Sequence, residues 1–203
     1  MDLGIFKDFW DGNPNHLPFL SLVELPGDET QSFNLQLSIS KLEAILQSNS
    51  EQEIKQGIKL LLDQEDWRFH LVASVSFLLI KESRRGDLFD LIWERLSKGS
   101  WVSPQLLVVL SMSDKSFIFK GEKILAEGFH INYPKLSAVD HHVSRGGLPA
   151  TISEKKIIAA TNYLINDIIE DNEDNDYGGS LAQHWEEKLY ELIIKNKLRL
   201  AIF

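Results

Sequence analysis

The chain has 203 residues, 43% hydrophobic and 25% charged, which are the proportions of a globular protein with a sizeable core. It has no cysteine, so disulfides, thiol catalysis and cysteine zinc sites are excluded. Its net charge of −9 argues against nucleic acid, because phosphate neutralisation needs clustered Lys and Arg.

No apolar run is long enough to span a bilayer. The N-terminus shows no basic stretch leading into an apolar one, as a signal peptide would. A cytoplasmic protein without membrane association is therefore expected. No cofactor motif stands out.

Residues 1–37 form a distinct N-terminal stretch, acidic and proline-containing. Phe6, Phe9 and Trp10 predict a helical turn lying on the end of a scaffold, stopped by Asp11-Gly12-Asn13-Pro14. Phe19 to Leu25 is apolar, Pro26-Gly27-Asp28 signals a turn, and Phe33, Leu35, Leu37 and Ile39 alternate with polar residues. This spacing reads as a small β-hairpin, which would need a helix to pack on. The alternative is an extended segment capping the open end of a helical core. Ser40 and Glu43 have the spacing of a capping box, opening a short helix through Leu46.

Residues 38–130 carry the core, and within them Ser50 to Ser113 reads as two helix pairs. Ser50 and Glu53 form a capping box, and Ile54, Ile58, Leu61 and Leu62 follow at helical spacing. Asp66 starts a second helix, Trp67 to Ile80, apolar nearly all round and so buried on most sides. A shift of about 34 residues repeats the pattern, as in helical solenoids. Ile54, Ile58 and Leu62 map onto Leu88, Ile92 and Leu96, Trp67 onto Trp101, and Val72 and Val75 onto Leu106 and Val109. Ser103-Pro104 opens the fourth helix of the set.

The stretch from Asp66 to Leu79 resembles the second helix of a HEAT-type repeat, through Asp66, Trp67, Arg68, Ala73 and Leu78. The second unit departs from that pattern at Pro104 and Leu107. The resemblance covers about a third of the chain. It implies a short α-α superhelix of antiparallel helix pairs, a type of scaffold that binds other macromolecules, and it implies no chemistry.

Asp114 caps a predicted helix running to about Phe129. In residues 131–203, an irregular stretch from Asn132 to Pro149 precedes a helix capped by Thr151 or Ser153 and extending through Ile168 and Ile169. Asp167 to Asp176 then packs six acids into ten residues, and Ser180 caps a last helix bearing Leu181, Trp185, Leu189, Leu192 and Ile193.

Asp140, His141 and His142 have metal-ligand chemistry and support a rival reading, a metal-dependent hydrolase or transferase. The same letters occur in a family of metal-dependent phosphoesterases, but there they follow a strand of a parallel sheet, with further aspartate motifs upstream that are missing here. Ser144-Arg145-Gly146-Gly147 lacks the Gly-Lys-Ser/Thr of a phosphate loop. Read as a calcium loop from Asp171, the acidic run has Asp176 in the sixth place and Ala182 in the twelfth, where Gly and Glu are needed.

Two sequence features suit a protein partner. The first is Asp167, Glu170, Asp171, Glu173, Asp174 and Asp176, which would attract a basic surface. The second is Trp93, a type enriched at binding hot spots and set here beside Glu94 and Arg95. The expectation is an all-α, non-enzymatic protein-binding scaffold. Its sharpest form is a stoichiometric inhibitor, such as an immunity protein that neutralises a toxin.

Overall fold

The computed structural model describes residues 2–23, 34–132 and 148–195. The fold is all-α, and no strand occurs among the described residues. The α-helices are α1 (Pro18–Ser21), α2 (Leu35–Ser48), α3 (Glu51–Leu62), α4 (Trp67–Leu79), α5 (Leu88–Lys98), α6 (Ser103–Ser113), α7 (Phe117–Glu127), α8 (Ala150–Asn166) and α9 (Gly178–Ile194). Short 3-10 turns cover Gly4–Trp10, Glu82–Arg84 and Glu173–Asn175.

The two central pairs are built as their sequence dictates. Glu53 Oε2 accepts from the Ser50 N–H at 2.8 Å and Ser50 Oγ from the Glu53 N–H at 3.4 Å, closing the capping box of α3. Asp66 Oδ1 accepts from the Arg68 N–H at 3.0 Å and starts α4. Helix α3 packs on α4, and α5 on α6. The pairs stack in register, α3 against α5 and α4 against α6. Trp67, at the start of α4, and Trp101, just before α6, meet edge-on, with ring centroids 4.8 Å apart.

Buried polar side chains tie the two pairs together. His70 Nε2 lies 2.8 Å from Gln64 O and its Nδ1 2.8 Å from Ser100 Oγ. The carbonyl can only accept, so Nε2 carries the proton and Nδ1 accepts from the Ser100 hydroxyl. Arg95 Nη1 donates to Leu62 O and Gln64 O at the α3–α4 turn. Arg85 donates to Ile80 O and Leu78 O at the end of α4 and to Ser113 Oγ at the end of α6. Each bond satisfies a backbone or hydroxyl group that burial would otherwise leave unpaired, at a cost of roughly 1–3 kcal/mol.

Both faces of the α4–α6 layer are covered, by α3 and α5 on one side and by α8, α9, α1 and α2 on the other. One contiguous core results, running from Phe6 and Phe9 through Leu71 and Leu107 to Trp185 and Leu189. Trp185 Nε1 donates to Phe19 O at 2.9 Å, so the last helix fastens the N-terminal stretch.

The expected hairpin is corrected at its second arm. Leu35 to Ile39 lies in α2, where Asn34 Oδ1 accepts from the Leu37 N–H at 2.8 Å. Leu35, Ile39 and Leu42 are buried at helical spacing while Leu37 is only half-buried, so the alternation was incidental. Phe19 lies in α1, and the Pro26-Gly27-Asp28 turn is outside the described residues. Ser40 and Glu43 fall within α2 and cap nothing. Helix α8 opens at Ala150 after Pro149 and stops at Asn166, so Ile168 and Ile169 lie beyond it.

Candidate functional site

The connection from α8 to α9 carries the acidic run, and its shape follows from local hydrogen bonding. Asp167 takes a left-handed conformation (φ 56°), and its N–H bonds to Tyr163 O, closing α8. Asn172 and Asn175 cap each other: Asn172 Oδ1 accepts from the Asn175 N–H at 3.2 Å, and Asn175 Oδ1 from the Asn172 N–H at 3.1 Å. The buried Asn175 also donates to Glu170 O at 2.6 Å.

Asp171 caps α9 from a distance. Its two carboxylate oxygens accept from the Gly179 and Ser180 N–H groups at 3.0 and 2.8 Å. These are donors the helix cannot satisfy itself, and the negative charge suits the positive end of the helix dipole. The expected cap, Ser180, is instead a residue being capped.

Asp176 pairs with Lys156, which is only 1% exposed. Lys156 Nζ donates to Asp176 Oδ2 at 2.6 Å and to Trp101 O at 2.9 Å, and it lies 5.5 Å from the Trp101 ring centroid. Burial pushes the Lys156 pKa below its ordinary value, and Asp176 opposes that shift. The loop must therefore come tight against α8. A Cβ on Gly178 would lie 2.3 Å from Lys156 O.

The six acids thus divide. Asp171 and Asp176 hold the fold, and Asp174 makes a surface pair with Lys155 at 3.0 Å. Asp167, Glu170 and Glu173 are exposed and have no side-chain partner among the described residues. Ile168 and Ile169 stand exposed between Asp167 and Glu170, and Tyr177, 51% exposed, follows Glu173 in the same loop. A groove of about 500 Å³ runs beside the loop, lined by Leu125, Ile158 and Ala159 and by Asn162, Glu170 and Asp174.

Trp93 lies elsewhere. It is half-buried, its Nε1 donates to Asp114 Oδ2 at 2.8 Å, and its ring stacks on Phe117, with Lys120 Nζ 4.9 Å from its centroid. Burial of Asp114 opposes its ionisation, but the bonds from Trp93 and Ser116 and the Lys120 charge hold its pKa below the ordinary value.

Asp140, His141 and His142 are outside the described residues, as is Ser144 to Gly147. His130 and His184 are exposed. Among the described residues, no group of three or more His, Cys, Asp or Glu side chains is placed to hold a metal ion. No described helix is long and apolar enough to cross a membrane. Comparison with protein-family models, with curated proteins and with solved structures finds no match.

Proposed function

We propose that this chain is a non-enzymatic protein-binding scaffold whose acidic edge, from Asp167 to Tyr177, meets a basic partner. One observation carries the reading. Three carboxylates with no side-chain partner among the described residues share with three exposed apolar side chains a loop already fixed by Asp171, Asn175 and Asp176. A fixed loop gives up little conformational freedom on binding. Apolar contacts supply affinity, while the surrounding charge supplies attraction and orientation.

The stacked pairs and the Trp67–Trp101 contact support the likeness to HEAT-type repeats. In its narrowest form the scaffold is a cytoplasmic inhibitor of immunity-protein type, which its small size and acidity suit.

The test uses the partner captured from native lysate. A triple variant, Asp167→Asn, Glu170→Gln and Glu173→Gln, spares the acids that hold the fold. Association should slow, its salt dependence should weaken, and the melting temperature should stay the same. An association rate unchanged at both low and high salt would overturn the proposal.

A further inference from the structure

The groove of about 500 Å³ beside the acidic edge combines two kinds of lining. The apolar part comes from Leu125 on α7 and from Ile158 and Ala159 on α8. The polar part runs from the end of α8 into the loop, through Asn162, Asn166 and Glu170. Asn166 Nδ2 donates to Asn162 Oδ1 at 2.9 Å, which leaves Asn166 Oδ1 to accept from a further donor. Asn175 Nδ2 holds the main chain at Glu170 O, at 2.6 Å, while the Glu170 carboxylate has no side-chain partner among the described residues.

The charges around the groove have negative sign in excess. The cation in its lining, Lys155, is already paired with Asp174 at 3.0 Å. Glu170 is left as an unmatched carboxylate, with Asp167 and Glu173 exposed on the same loop. On α7, beside Leu125, the Lys123–Glu127 pair is balanced and Glu122 is exposed. The net charge of −9 acts in the same direction as the groove, drawing in cations and opposing anions.

We propose that this groove receives an arginine side chain of the basic partner, its guanidinium on the Glu170 carboxylate and Asn166 Oδ1 and its aliphatic stem on Leu125, Ile158 and Ala159. This rests on the acidic edge being the surface that meets the partner. A long cationic side chain buries its stem against apolar groups and keeps its charged head among polar ones, which is the division the lining offers. Arginine suits it better than lysine. A guanidinium is planar, gives two parallel hydrogen bonds to a carboxylate and still has N–H groups for an amide oxygen. An ammonium is more strongly hydrated and binds as a point charge. Asn172 and Asn175 fix the loop beforehand, so the acceptors need little ordering when the side chain arrives.

The probe is an end-capped pentapeptide, glycine–leucine–arginine–leucine–glycine, read from the side-chain amide NMR signals of Asn162 and Asn166. Matching peptides carry lysine, or citrulline as the uncharged isostere of arginine, at the centre. The arginine peptide should shift both signals and bind about tenfold more tightly than the citrulline peptide, as the loss of a charge-assisted hydrogen bond implies. The lysine peptide should fall between them. Glu170→Gln should bring the arginine peptide down to the citrulline level, with an unchanged melting temperature. Equal affinity for the arginine and citrulline peptides would overturn the proposal, as would a lysine peptide bound as tightly as arginine or an arginine affinity unaffected by Glu170→Gln. A charge-neutral variant separates failure of the groove from failure of the acidic edge. Asn162→Trp obstructs the groove, so the captured partner should dissociate several-fold faster from it and associate at the same rate. Unchanged dissociation from Asn162→Trp, with association still slowed in the triple variant of the edge, would remove the groove and leave the edge standing.

Discussion

Among the described residues, the fold holds the imidazoles of His16 and His70 neutral. His16 packs between Trp10 and Trp67, with ring centroids 5.2 and 5.9 Å away. Burial, aided by the Arg68 charge and opposed by Asp66, lowers its pKa to about 4. Burial, then Arg95, lowers that of His70 to about 3, against the hydrogen bond to Gln64. Both bind a proton more readily when unfolded, where the pKa is about 6.5. Their contribution is therefore complete above about pH 6.5 and is lost as pH falls towards 4 and then 3. The Asp11–Lys41 pair, with the Asp11 pKa near 2, fails only at lower pH. Urea midpoints should fall between pH 6.5 and 4, and His16→Gln should flatten that decline. An identical pH profile in the variant would show that His16 is not the group responsible. Neither histidine stood out in the sequence, since burial by residues distant in the chain leaves no local pattern. Lys156 did leave one: it shares the apolar face of α8 with Ser153, Ile157 and Ala160. A lysine on such a face requires a partner for its charge, which the half-buried Asp176 provides.

At the scale of elements, the helices with strong local signals were legible. The Ser50–Glu53 box and the Asp66 cap are local rules, and the structure obeys them. Element ends set by remote residues were not legible. The cap of α9 comes from Asp171, eight and nine residues before the groups it satisfies, so Ser180 looked the natural choice. Asp171→Ala should cost about 1–2 kcal/mol, typical of a lost cap, while Glu173→Gln should leave stability within about 0.5 kcal/mol. Denaturant titration of both variants checks the contrast. Equal effects would mean that the acids act only through their summed charge. The acidic run was thus legible as a cluster, but its division into structural and exposed members was not. That division depends on Lys155, Lys156 and the path of the loop.

For the whole molecule, the continuous core has a thermodynamic consequence. Phe6, Phe19, Leu107 and Trp185 belong to one buried cluster, and Phe19 O is bonded to Trp185. The N-terminal stretch therefore has no separate core to unfold from. Tryptophan fluorescence and far-ultraviolet circular dichroism should follow a single coincident urea transition, as expected of one cooperative unit. Two separated transitions would show that the ends melt independently.

Covering both faces of the α4–α6 layer also limits how the architecture can vary. An open stack of helix pairs can grow, because its last pair offers the next the same surface that it used itself. Here α8 and α9 lie across α6, and the Gly4–Trp10 turn, α1 and α2 lie against α3 and α4. Helix α7 packs on α8, and α8 lies against α6 as α6 lies against α4, so a third pair already takes that seat, and α9, packed on both α6 and α8, closes over the junction.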